Sequence, residues 1–114
     1  MLKIPFLKKL NRRKTVSLVR LTGLISSGSR GGISDGALGS TLDKAFKKGN
    51  PSAVALIINS PGGSPVQSSL VGDRIKRLSE ETKVPTIAFV EDVAASGGYW
   101  IASAADEIYA DHAS

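Results

Sequence analysis

Two uninterrupted apolar runs, AVALII at 53–58 and TIAFV at 86–90, constrain the fold of this chain more than any other feature. A strand with one wet face alternates polar and apolar residues. A continuous run of five or six β-formers instead predicts a strand buried on both faces, as in parallel sheets covered by helices. Between the runs, Val66, Leu70, Val71, Ile75 and Leu78 recur at helical spacing, so 66–81 is predicted to be an amphipathic helix. The alternation extends outward in both directions. Upstream, 15–21 (TVSLVRL) has a strand's pattern, with Val16, Leu18 and Arg20 on one face and Ser17, Val19 and Leu21 on the other. It is followed at 35–48 by a helix carrying Leu38, Leu42, Ala45 and Phe46, with lysines in its last turn and Gly49 as its stop. Downstream, a small-residue helix is predicted at 100–105 and a short strand at 107–110. The order strand, helix, strand, helix, strand, helix, strand implies an α/β fold with a parallel sheet and right-handed crossovers.

At 114 residues the chain has room for one domain at most. It has no cysteine and one histidine, which excludes disulfides, thiolate metal sites and a cysteine nucleophile. Neither a metal nor a cofactor is expected, and any chemistry must come from hydroxyls, carboxylates, lysines and backbone amides. The net charge of +5 would suggest nucleic acid, but its distribution argues otherwise. Residues 1–14 hold Lys3, Lys8, Lys9, Arg12, Arg13 and Lys14 and no acid, while the rest of the chain has nine basic and ten acidic residues. The excess therefore belongs to a tail, not to a folded basic face, and no nucleic-acid partner is expected. Leu2, Ile4, Phe6, Leu7 and Leu10 among those cations suit a short amphipathic segment on an anionic membrane surface, or else a solvated terminus. No stretch is long and apolar enough to predict a membrane span.

Three segments interrupt the regular pattern. SSGSRGG at 26–32 is a flexible loop by composition, and it lacks the lysine and spacing of a phosphate-binding loop. SPGGS at 60–64 and AASGG at 94–98 each follow one of the apolar runs, so both fall at the carboxyl ends of neighbouring strands, where α/β sheets bind ligands. The paired glycines of the first can turn their amides outward at a helix start, an arrangement that suits an oxyanion. In the second, Ser96 sits among small residues at a strand-to-helix turn, with the Gly97 amide as a further donor. Taken singly, Ser96 could be a helix N-cap and the glycines mere turn formers. Their occurrence in consecutive units points instead to an acyl or enolate oxyanion site.

These residues carry a resemblance. INSPGGSP at 58–65 followed by VPTIAFVEDVAASGGYWIASAADEIYAD at 84–111 closely resembles the signal peptide peptidase A family of serine peptidases, SohB-like members included. The resemblance covers roughly 15–111. It implies the α/β spiral of the Clp protease subunit and the crotonases, Ser96 as nucleophile, and an oxyanion hole of Gly97 with Gly62 or Gly63. It also implies a peptide substrate bound in extended form, a homo-oligomer, and a lysine as general base.

Outside the tail the lysines are Lys44, Lys47, Lys48, Lys76 and Lys83, all on expected helix surfaces or in a helix-to-strand turn. A catalytic lysine must be desolvated before it can take up the serine proton. In the family that lysine lies further along than this chain extends. The expectation is that 15–114 is the N-terminal part of a larger catalytic domain, inactive alone, and cytoplasmic or associated with the bacterial cytoplasmic membrane. His112, with Asp111 beside it, is a poor substitute base, because adjacent residues in extended chain point opposite ways. Two other functions use the same features. A crotonase-type acyl-CoA enzyme would need the oxyanion amides and not Ser96, and an inactive membrane-associated scaffold would need neither.

Overall fold

The computed structural model describes residues 15–27, 32–91 and 96–110. Four strands, β1 (Val16–Thr22), β2 (Ala53–Asn59), β3 (Thr86–Val90) and β4 (Glu107–Ala110), form one sheet in the order β1-β2-β3-β4, every neighbouring pair parallel. Helices α1 (Asp35–Lys47), α2 (Pro65–Thr82) and α3 (Ser96–Ala102) make the three crossovers. Sequential strand order with crossovers of one hand stacks every helix on the same sheet face. The core lies there, where Val19, Leu21, Val54, Leu56, Ile58, Ala88 and Val90 meet Leu42 and Phe46 of α1, Val71, Ile75 and Leu78 of α2, and Ile101 of α3.

The register aligns the residues of the opposite face in rows: Leu18, Ala55, Ile87 and Glu107, then Arg20, Ile57, Phe89 and Tyr109. No described element covers them. Leu18 is 59% exposed and Phe89 39%, with the Phe89 and Tyr109 rings stacked 5.6 Å apart. This corrects the expectation that β2 and β3 are buried on both faces. Ile57 and Ile87 are only half-buried, because the described elements supply one helical layer and not two. On β1 the inward set is Val19 and Leu21, and Val16 and Leu18 face outward.

Helix ends follow capping chemistry. Ser34 and Ser64 are the N-caps of α1 and α2, their hydroxyls accepting the Ala37 and Gln67 amides. Pro65 fills the first turn of α2, where no amide is required. Asp35 and Arg74 join the two helices, Nε to Oδ1 at 2.7 Å and Nη2 to Oδ2 at 3.2 Å, with Asp43 also within 3.3 Å of the guanidinium. The hydrogen bond to Arg74 outweighs partial burial and lowers the Asp35 pKa below its ordinary value, while the same bond raises that of Arg74. At the far end of the sheet, the Asp106 carboxylate accepts the amide of the buried Thr86 at 2.7 Å and its hydroxyl at 3.2 Å, closing the start of β3.

Candidate active site

β1 and β2 run in register to Thr22 and Asn59, and the Gly23 amide still bonds the Asn59 carbonyl at 3.1 Å. Beyond that point Leu24, Ile25 and Ser26 form a short extended piece with isolated parallel bridges from Ile25 to Ile33 on one side and to Gly63 on the other. Four backbone bonds make the bridges: Ile25 donates to Gly62 at 2.9 Å, Ser64 to Ile25 at 2.7 Å, Ser26 to Ile33 at 3.0 Å and Ile33 to Leu24 at 2.9 Å. The turn after β2 is thus fixed from both flanks of Gly63.

Within that turn the two glycines differ. The Gly62 amide donates to the hydroxyl of the buried Ser60 at 3.0 Å, an arrangement that stabilises the turn and leaves this donor occupied. Gly63 is exposed, and its amide has no acceptor among the described residues. Its φ of 143° suits glycine, and a Cβ there would stand 2.1 Å from the Ile25 carbonyl oxygen.

Ser96 and Gly97 are the first two residues of α3. The helix therefore begins at Ser96, four residues earlier than the pattern at 100–105 predicts. Glycines at 97 and 98 lower helix propensity, and tertiary packing overrides it. Gly97 is buried, and a Cβ built on it would meet Ile25 Cδ1 at 3.0 Å, Ser68 Oγ at 3.1 Å and the Gly62 Cα at 3.2 Å. Only a residue without a side chain lets α3 approach the turn so closely. The fold thereby brings the Gly62–Gly63 turn and Gly97 together from two separate stretches of sequence. As the second residue of a helix, Gly97 carries one of the amides that have no partner within the helix.

Below the turn, Ser64 organises the start of α2. Its carbonyl accepts both the amide and the hydroxyl of the buried Ser68, at 3.0 and 2.8 Å. Gln67, one turn into the same helix, accepts the Asp35 amide at 2.9 Å and so ties α1 to the site. Sequence reasoning missed Ile25, Ser60, Gln67 and Ser68. Ser60 lies inside the SPGGS motif, but nothing in the motif tells its hydroxyl from that of Ser64, Ser68 carries no motif, and Ile25 is one apolar residue between a strand and a loop.

Lys44, Lys47, Lys48, Lys76 and Lys83 are all exposed, so none of the described lysines is desolvated as a general base requires. Asp111 and His112 lie outside the described residues, as do the tail at 1–14, loop residues 28–31, residues 92–95 and the Ser96 side chain. Among the described residues no group of three or more acidic or histidine side chains is placed to hold a metal. Among the same residues no helix is long and apolar enough to cross a membrane.

Comparison with known proteins adds a family to this geometry. Residues 79–114, which include Ser96 and Gly97, match the model of Peptidase family S49. Over 107 residues the chain is 36% identical to Protease 4 of Haemophilus influenzae, covering 92% of this chain and 17% of that protein. Over 60 residues it is 50% identical to the chloroplastic serine protease SPPA of Arabidopsis thaliana, covering 53% of the chain and 9% of the relative. A 102-residue stretch is 49% identical to part of a Brucella melitensis protein named Na(+)/H(+) antiporter NhaA, covering 87% of this chain and 14% of that one. The chain thus spans about one seventh of the antiporter-named relative and one sixth of Protease 4. Among solved structures, the 1510-N membrane-bound stomatin-specific protease, as a serine-to-alanine mutant, superposes with a TM-score of 0.63 at 20% identity, over 86% of this chain and 44% of its own. That likeness shows the fold, the Clp protease and crotonase type of parallel α/β unit. Ordered sequence motifs, fold and the match at 79–114 agree, and together they support an SppA-like S49 family for this chain.

Proposed function

We propose that this chain carries the nucleophile and the oxyanion-stabilising elements of a serine endopeptidase of the signal-peptide-peptidase type, its lysine base coming from sequence outside these 114 residues. The observation that carries the reading is the packing of Gly97 on Gly62, next in the chain to Gly63, whose amide has no acceptor among the described residues. In this mechanism Ser96 Oγ attacks the scissile carbonyl carbon while its proton passes to the lysine amine. The carbonyl oxygen becomes an oxyanion and takes hydrogen bonds from the Gly63 and Gly97 amides. Collapse of the tetrahedral intermediate breaks the C–N bond, the lysine returns the proton to the departing amine, and water then hydrolyses the acyl-enzyme. Gly63 is preferred to Gly62 because the Gly62 amide is already held by Ser60.

The small residues Ala94, Ala95, Gly97 and Gly98 around the nucleophile favour apolar side chains of modest size, in keeping with remnants of signal peptides bound in extended form. The cations and apolar residues of 1–14 would hold the enzyme peripherally at an anionic membrane, and assembly of several copies completes the reading.

The test is Ser96→Ala in the full-length protein that contains this chain and its lysine. Hydrolysis of apolar peptides is expected to fall to background, and unchanged turnover would end the nucleophile assignment. An acyl-CoA enzyme would use the same amides for a thioester enolate. Labelling by a fluorophosphonate that acyl-CoA does not block favours the peptidase, whereas protection by acyl-CoA without labelling favours the other chemistry.

A further inference from the structure

Ile25 is 1% exposed and touches both halves of the candidate site. Its backbone grips the two neighbours of Gly63, accepting from Ser64 at 2.7 Å and donating to Gly62 at 2.9 Å. Its Cδ1 methyl stands 3.0 Å from the position a Cβ would take on Gly97. Because the backbones of its two chain neighbours are bonded to Ile33, Ser26 donating to it at 3.0 Å and Leu24 accepting from it at 2.9 Å, the segment that carries the isoleucine is held independently of the turn and of α3. It is a spacer held from a third direction.

We infer that Ile25 is a positioning residue that sets the separation of the Gly63 and Gly97 amides, and that its δ-methyl is the part that does so. The inference rests on the reading of Ser96 and these amides as the reaction centre. Two donors stabilise one developing oxyanion only if both lie about 2.7–3.1 Å from it, so a fraction of an ångström at one amide weakens the pair. Backbone pairing alone fixes Gly63. Gly97 packs on three groups, the Gly62 backbone, the Ser68 hydroxyl and the Ile25 terminal methyl, and the methyl is the nearest of them to the position of a Cβ on Gly97. Loss of the methyl lets the start of α3 tilt toward the Ile25 segment and moves one donor, leaving every backbone bond of the bridge in place.

The role differs from simple core packing in a measurable way. Ile33 is equally buried and belongs to the same pair of bridges, and none of the three atoms nearest a Cβ on Gly97 is its own. Ile25→Val and Ile33→Val each delete one methylene from the same small cluster. In the full-length protein, Ile25→Val is expected to lower kcat for an apolar peptide amide about tenfold, with KM within about twofold, and to weaken a peptide aldehyde inhibitor by the same factor as kcat. Ile33→Val is expected to shift the unfolding midpoint by a similar amount and to leave kcat and the inhibitor constant within about twofold. Circular dichroism of both variants confirms that they are folded. Equal losses of kcat in the two variants, or an unchanged kcat and inhibitor constant in Ile25→Val, would overturn the inference. Either result leaves the nucleophile assignment intact if Ser96→Ala is inactive, and an active Ser96→Ala removes that assignment whatever Ile25 does.

Discussion

A methyl group built on Gly97 would stand 3.2 Å from the Cα of Gly62, so the second residue of α3 rests directly on the backbone of the turn after β2. The contact is closer than most Cβ atoms tolerate, and the Gly62 side of it is backbone, which cannot rotate away. Gly97→Ala is therefore expected to force α3 outward and to cost about 1–3 kcal/mol of folding stability. Urea denaturation of the 114-residue chain measures this directly. An unchanged midpoint would mean that α3 is not held against the turn.

Gly63→Ala is expected to be worse. The new methyl would collide with the Ile25 carbonyl at 2.1 Å, and relief requires breaking the Ser64 to Ile25 bond. Backbone strain of 1–3 kcal/mol and a lost hydrogen bond of about 1 kcal/mol together predict a loss of roughly 3 kcal/mol. Faster hydrogen exchange at the Ser64 amide in the variant would show where the loss arises, and a wild-type rate would count against it.

The Asp35–Arg74 pair gives stability a defined pH dependence. The Arg74 guanidinium holds the folded pKa of Asp35 below the ordinary aspartate value, so its contribution is fully present above the unfolded pKa and disappears as pH falls through the folded one. Asp35→Asn is expected to cost about 1 kcal/mol from pH 5 to 8, less in high salt, with the gap to wild type closing below about pH 4. The asparagine variant keeps the backbone bond to Gln67, so the difference isolates the charge. A gap that persisted at pH 2 would assign the loss to packing.

One-sided coverage of the sheet separates two leucines that sequence alone treats alike. Leu56 is completely buried under the helices, and Leu18 lies on the open face. Leu56→Ala is expected to cost about 2–5 kcal/mol, and Leu18→Ala in the same 114-residue chain to stay within about 0.5 kcal/mol. Equal costs in thermal or chemical denaturation would show that a second layer covers the open face.

Much of this architecture was legible beforehand. The apolar runs at 53–58 and 86–90 and the stripe from Val66 to Leu78 located β2, β3 and α2 to within a residue or so, because strand and helix periods differ sharply in such segments. The two Gly- and Ser-rich breaks marked the turns at the carboxyl ends of β2 and β3. Less legible was the start of α3. Ser96, Gly97 and Gly98 are poor helix formers, and their helical state is set by contacts with Ile25, Gly62 and Ser68, each distant in sequence from Gly97. The open face was equally hidden, because a continuous apolar run looks the same whether one layer or two will cover it.

By itself, then, the sequence determined the order of strands and helices, the residues available for chemistry and the confinement of excess positive charge to 1–14. Those follow from periodicity, glycine placement and residue counts, which are local properties. Tertiary structure decided which face of the sheet is packed, that Ser60 occupies the Gly62 amide while that of Gly63 has no acceptor among the described residues, and that Ile25 reaches both Gly63 and Gly97. Such relationships arise only when segments far apart in the chain are brought within van der Waals contact, where half an ångström of packing decides which amide is available.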